Sequence, residues 1–125
     1  MWGITGRSMR LGDGRARSMR TLHVGLARIV VRGPLEHAVL EVAGELDFGD
    51  VDQFVEQVAT IPHRVVSLDL AGLEFLDGAG ARAVEQVRRA LQERHGELPA
   101  IIGATRSVDR TLTLVRKRAA KAVTH

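Results

Sequence analysis

The chain has 125 residues and a formal net charge of +3; 45% of its residues are hydrophobic, but only one Trp and three Phe are present. This length predicts one domain, and the shortage of aromatic side chains predicts an aliphatic core. The absence of cysteine excludes disulfides, thiolate metal sites and cysteine nucleophiles. No apolar run approaches the roughly 18 residues that a membrane span needs, and the first twenty residues lack the hydrophobic stretch of a signal peptide. We therefore expect a cytoplasmic protein without a membrane span.

The positive charge lies at the two ends of the chain. Residues 1–20 contain five Arg and one Asp, and residues 116–125 contain two Arg, two Lys and no acid, whereas residues 21–115 contain nine Arg and fourteen acids. A nucleic-acid-binding domain places its cations on a folded face, so we expect no nucleic-acid partner. Because the first segment is rich in Gly, Arg and Ser, we predict a basic, disordered leader at 1–20, a domain at 21–118 and a tail at 119–125.

The first predicted elements are two strands and a helix. Two β-branched, apolar runs within residues 21–47 flank the turn sequence "RGPLEH", which predicts a hairpin. Asp50 is the predicted N-cap of the first helix, because apolar residues recur at helical spacing after it. That apolar stripe consists of Val51, Phe54, Val55 and Val58.

The second half of the chain alternates strands with helices. Residues 65–70 are almost continuously apolar, which is typical of a strand covered on both faces, and "FLDGAG" follows at 75–80. An amphipathic helix then runs to Gly96, its predicted C-terminal stop, and its helical period places Glu85 on the solvent-facing side. The short strand "LPAIIGA" and a last helix capped by Ser107 follow. The predicted class is α/β, a single domain with a mixed, mostly parallel sheet of about four strands in the order β-β-α-β-α-β-α.

The sequence carries no recognisable apparatus for catalysis. The five His lack metal-ligand spacing, and no Ser stands in a nucleophile elbow. Asp47, Asp69 and Asp77 lie in or after strands, and such residues can converge at one edge of a parallel sheet. Asp77 also precedes a helix, so helix capping is its favoured role, and contact with a partner is compatible with capping. We predict no enzyme, no cofactor and no metal.

Three stretches together resemble the STAS domain, the module of bacterial anti-sigma factor antagonists and of sulfate-transporter tails. They are "LEVAGELD" (40–47), "VVSLDLAGLEFLDGAG" (65–80) and "LPAIIGATRSVDRTLTLV" (98–115), with a helix between the first two. The resemblance covers residues 21–115, and its most specific features are the G-E-L-D turn and the F-L-D-x-x-G corner in that order. It implies the STAS fold and a protein-binding regulator rather than an enzyme.

The resemblance also implies a switch that this chain lacks. In the family, a kinase-type anti-sigma factor phosphorylates a Ser or Thr after the Asp of the corner, and the added charge of about −1.5 to −2 ends binding. Asp77 matches that Asp, Gly80 matches the Gly, and Gly78 stands at the acceptor position, followed by Ala79. The usual Leu after the Gly is Ala81, and the usual Gly-Leu after the leucines of the third helix is replaced by "VRKRAAKAV". The implied function is an antagonist that is not switched by phosphorylation at this corner.

The partner that the resemblance implies is a kinase-type anti-sigma factor. Two alternatives stay open: an accessory subunit of a lipid-type ABC transporter or a scaffold, and a nucleotide-binding STAS domain with an anion site at a helix N-terminus. A homodimer is also open, because the hairpin offers an edge strand, and Phe48 is open between a partner contact and a core position. The predicted partner-binding residues are Asp47, Phe48, Asp77, Gly78, Ala79, Gly80 and Arg82.

Overall fold

The computed structural model describes residues 19–123, which form one sheet and three helices. A short 3-10 turn, Phe48–Asp50, leads into the first helix. Of the predicted leader at 1–20, only Met19 and Arg20 lie within the described residues, where they begin the first strand. The strands are β1 (Met19–Val24), β2 (Ala27–Arg32), β3 (Ala38–Leu46), β4 (Val65–Asp69), β5 (Leu73–Leu76) and β6 (Ala100–Ile102); the helices are α1 (Val51–Ala59), α2 (Gly78–His95) and α3 (Arg106–Val123).

The sheet is mixed, and its strand order is β1-β2-β3-β4-β6. β1, β2 and β3 pair antiparallel, whereas β4 and β5 both pair parallel with β3, and β6 pairs parallel with β4. β4 and β5 follow one another along the same edge of β3, since β4 lies beside Ala38–Glu41 and β5 beside Gly44–Leu46. This arrangement confirms the predicted α/β class with a mixed, mostly parallel sheet.

The sheet has six strands within the described residues because two predicted segments are each divided. Gly25, at a φ of 57°, makes a tight turn that splits the first apolar run into β1 and β2. This left-handed backbone conformation favours glycine, which has no Cβ. The predicted turn at 32–37 then joins β2 to β3. The apolar segment after the first helix breaks at Ala71 and Gly72, which separates β4 from β5.

The core lies on one face of the sheet, between the strands and the helices. Alternate residues of β3 are buried, and they form one cluster with residues such as Phe54 of α1 and Leu112 of α3. The other face carries polar residues, including Arg32 and Glu41, whose ion pair measures 3.1 Å. All three described helices contribute to this core, and the residues of β4 are buried or half-buried.

The structure confirms the predicted end of α2 and corrects the predicted cap and end of α3. Gly96 ends α2 at a φ of 90°, and its N–H donates to Gln92 O at 2.7 Å, as predicted. The cap of α3 is Thr105 rather than Ser107, because Thr105 Oγ1 accepts the Val108 N–H at 3.3 Å. α3 continues to Val123, beyond the predicted domain end at 118. Within residues 19–123, no helix is long and apolar enough to cross a membrane.

Candidate functional site

Asp77 is the centre of the candidate site, because its carboxylate joins two segments that are distant in sequence. One oxygen, Oδ1, accepts the Gly80 N–H at 2.7 Å and so caps α2. The other oxygen, Oδ2, accepts the Phe48 N–H at 3.0 Å, across 29 residues of chain. The predicted capping role is confirmed, and the same side chain also fixes the end of the G-E-L-D turn against the corner.

Asp47 and Phe48 shape the other half of the site. Asp47 caps the 3-10 turn, since its Oδ1 accepts the Gly49 N–H at 2.9 Å. Asp50 stands at the N-cap of α1, as predicted, but its side chain makes no capping hydrogen bond. Phe48 is 79% exposed, which excludes the core position. A surface phenyl ring beside the corner fits a contact residue.

The two glycines of the corner differ in what surrounds them. A Cβ on Gly80 would lie 2.5 Å from Leu46 O and 2.9 Å from Leu76 Cδ1, so glycine allows α2 to pack closely on the end of β3. A Cβ on Gly78 would meet only Arg82 Nη1, at 3.7 Å, an ordinary contact. Gly80 is therefore required by internal packing, whereas Gly78 faces space that a side chain can occupy.

The remaining predicted contact residues lie in the first turns of α2. Ala79 is half-buried and Arg82 is exposed, one helical turn after Gly78. The guanidinium of Arg82 is the nearest group to a side chain built at position 78. All seven predicted residues are thus brought to one end of the sheet, at the carboxyl ends of β3 and β5, where α/β proteins commonly bind.

Asp69 does not join this group. It lies near the end of β4, where its Oδ1 accepts the Ala71 N–H at 3.0 Å and stabilises the break between β4 and β5. Within residues 19–123, no cluster of three His, Cys, Asp or Glu side chains is arranged to hold a metal ion. The arrangement supplies two backbone segments that one surface carboxylate holds together.

The sequence did not indicate the positions of three further residues, two at the surface beside the site and one between α2 and α3. Leu26 and Phe75 are exposed beside the G-E-L-D turn, and only the pairing of the strands brings them there. Glu85 was placed on the wet face of α2 by its helical period, but it is 9% exposed because α3 covers it. Its carboxylate accepts from Arg88 at 2.9 and 3.2 Å and from Arg116 at 2.8 Å.

Comparisons with known proteins agree with this fold. Residues 29–117 match a family model described as "Mlab, STAS domain". Among solved structures, the chain is similar to an anti-sigma factor antagonist STAS domain from Rhodobacter sphaeroides, with 19% sequence identity and a TM-score of 0.50. That match covers 63% of this chain and 88% of the solved one. No curated protein matches the chain.

Proposed function

The chain belongs to the STAS domain family, and we propose that it acts as an anti-sigma factor antagonist whose corner cannot be phosphorylated. The proposed partner is a kinase-type anti-sigma factor, bound at the surface formed by Asp47, Phe48 and residues 77–82. The similar solved protein is itself an anti-sigma factor antagonist, and this proposal extends that role to the present chain. Because every step is binding, the proposal needs no cofactor and no catalysis, and it places the protein in the cytoplasm.

The observation that carries the proposal is that the Asp77 carboxylate accepts two hydrogen bonds, one from each of two chain segments. Its two oxygens hold the Phe48 N–H and the Gly80 N–H at 3.0 and 2.7 Å, so the turn and the corner form one surface with fixed geometry. A surface that is already ordered loses little conformational entropy on binding. The position that a kinase would modify is Gly78, and binding there is therefore expected to be constitutive.

The direct test measures complex formation with kinase-type anti-sigma factors, in ADP and in ATP. We expect the same Kd in both nucleotides and no added phosphate on this chain in intact mass spectrometry. Loss of the complex in ATP, with a phosphate located on this chain, would contradict the unswitched part of the proposal. Absence of a complex with every kinase-type factor of the native organism would contradict the proposal as a whole.

Gly78→Ser tests whether the corner has been assigned correctly. The substitution fits the space, since a Cβ there meets only Arg82 Nη1 at 3.7 Å, so folding should be unchanged. In the presence of the cognate kinase and ATP, we expect the variant to gain one phosphate and to lose binding. Gly78→Ala is the matched control, because it adds a Cβ without a hydroxyl. If Gly78→Ser is bound by the factor but never phosphorylated, position 78 is not the acceptor position.

A second function, from a different class, is that of an accessory subunit beside a transporter ATPase, or a scaffold. The observation that favours it is the missing hydroxyl at 78 and 79, because the resemblance to STAS-like proteins that lack an acceptor implies a role beside transporter ATPases. Co-purification from native cells distinguishes the two functions. A kinase-type factor supports the first proposal, and a permease with its ATPase supports the second.

A nucleotide-binding STAS domain is the least favoured alternative. An anion site at the start of α2 would need free N–H groups and positive potential. The Asp77 carboxylate already accepts the Gly80 N–H, and its negative charge opposes a phosphate at the same place. Titration calorimetry with GTP and ATP should therefore give no heat, and a saturable signal would reverse this ranking.

Self-association through the hairpin is a separate expectation. β1 pairs only with β2 among the described strands, so its other edge presents unpaired backbone groups. A second copy could add there and continue the sheet. Sedimentation velocity over a range of protein concentrations tests this, and a single monomeric species throughout would contradict it.

A further inference from the structure

Three large apolar side chains are exposed together at the end of the sheet that carries the site. Leu26 is 74% exposed, Phe48 is 79% exposed and Phe75 is 47% exposed. We call these three residues the sheet-end patch. The chain has only four aromatic residues, and two of them lie in this patch. Large apolar groups that cluster on a surface mark an interaction site, whereas scattered ones need no explanation.

The strand register brings the members of the patch together. Leu26 O accepts the Glu45 N–H at 3.3 Å, and Glu45 is the register partner of Phe75 on β5. Leu26, Glu45 and Phe75 therefore form a row across three neighbouring segments, about 10 Å wide at the usual strand spacing. Phe48 follows Glu45 by three residues, and its N–H is held by Asp77. The patch thus continues the surface of the corner onto the sheet.

The charged residues next to the patch members along the chain are mainly acidic. Among the residues within three positions of a patch member along the chain, the only Lys or Arg is Arg28, near Leu26. Arg82 lies at the other margin, beside Gly78. Five carboxylates lie within the same three positions of a patch member, and all are exposed or half-buried: Glu45, Asp47, Asp50, Glu74 and Asp77.

We propose that the sheet-end patch is the apolar centre of the docking surface, and that its occupant is a protein face with apolar groups set among Arg and Lys side chains. Interfaces combine an apolar centre with a polar rim, and opposite charges at the rim accelerate association and select the partner. This inference rests on the proposed function, because the occupant is the anti-sigma factor bound at the corner. It adds Leu26 and Phe75 to the contact residues and states the chemistry of the partner surface.

The test compares matched serine substitutions by titration calorimetry with the anti-sigma factor that binds the wild-type chain. Leu26→Ser and Phe75→Ser remove patch members, whereas Leu35→Ser removes a leucine that is 55% exposed. Leu35 lies in the loop before β3, at the far end of that strand from the patch. We expect each patch variant to raise Kd about tenfold or more and Leu35→Ser to leave it unchanged. Circular dichroism should show all three variants folded.

The role of the carboxylates around the patch is tested by the rate of association with the anti-sigma factor at about 50 and 300 mM salt. Added salt shortens the distance over which surface charges attract each other. Association with a cationic partner face should therefore slow as the salt concentration rises. If Leu26→Ser and Phe75→Ser bind as Leu35→Ser does, the inference is wrong and the proposed function stands. If the wild-type chain binds no kinase-type factor, both are wrong. If the patch variants abolish only self-association in sedimentation, the patch belongs to a second copy of the chain and the inference is wrong.

Discussion

Two carboxylates associated with α2 are held in opposite ways. Asp77, before the first turn, accepts from two backbone N–H groups and stays half-exposed. Glu85, two turns later, is 9% exposed and accepts from the guanidiniums of Arg88 and Arg116. The first carboxylate joins the segment after β3 to the start of α2 at the protein surface, and the second joins α2 to α3 inside the molecule. The corner is thus held by hydrogen bonds from backbone N–H groups to one carboxylate, whereas the ion pairs of Glu85 lie within α2 and between α2 and α3.

Gly80→Ala should have the largest effect, because it introduces a Cβ 2.5 Å from Leu46 O, a backbone atom that cannot move aside cheaply. We expect a loss of about 3 kcal/mol in the free energy of unfolding, seen as a fall in Tm of more than roughly 10 °C. Gly78→Ala is the matched control, two residues earlier in the same turn. It should change stability by less than about 1 kcal/mol and in the stabilising direction. Equal effects of the two substitutions would contradict the packing described for Gly80.

Glu85→Ala should have an intermediate effect, since it leaves Arg88 and Arg116 without their shared acceptor. Breaking a fully buried pair costs more, but the Arg116 side chain is 40% exposed and Arg88 keeps its bond to Pro99 O at 2.9 Å. We therefore expect a loss of about 2 kcal/mol in urea unfolding. Glu93→Ala removes an exposed carboxylate from the same helix and should stay within about 0.5 kcal/mol. If Glu93→Ala lowers the free energy of unfolding by the same amount, Glu85 acts only through the charge of the helix and not through its ion pairs.

Asp77→Ala should have the smallest effect on stability and a larger one on binding. Removing the cap costs about 1 kcal/mol, measured by thermal unfolding, and the Phe48 segment loses its attachment to the corner. Asp77→Asn keeps an acceptor oxygen and should recover most of that loss. Asp50→Ala is the control, because the Asp50 side chain makes no capping bond. If Asp77→Ala and Asp50→Ala unfold at the same temperature, the cap does not contribute to stability.

The contrast between the two carboxylates also explains what the sequence could predict. Asp77 and Gly96 lie at helix ends, where short-range signals decide the conformation, and both were predicted correctly. Glu85 was misplaced because Arg116, its partner on α3, is 31 residues away, and helical periodicity contains no information about which helix covers which face. The fold class followed from strand and helix periodicity for the same local reason.

The strand count and the patch depend on tertiary pairing. Gly25 and Leu26 form a turn that lacks the usual Asn-Gly or Asp-Gly signal, so the first apolar run was read as one strand. Leu26 and Phe75 become neighbours of Glu45 only through the register of β2, β3 and β5. Residues of the corner could be named from a motif, whereas Leu26 and Phe75 of the sheet-end patch required the assembled sheet.

The two bonds to Asp77 have a consequence for the local opening of the domain. The Phe48 and Gly80 amides donate to the same carboxylate, so neither segment separates from the corner without removing a bond from this one group. Their amide protons should therefore exchange with deuterium as members of one cooperative unit, at similar free energies of opening. A surface that opens only as a unit would present the proposed partner with one conformation rather than an ensemble.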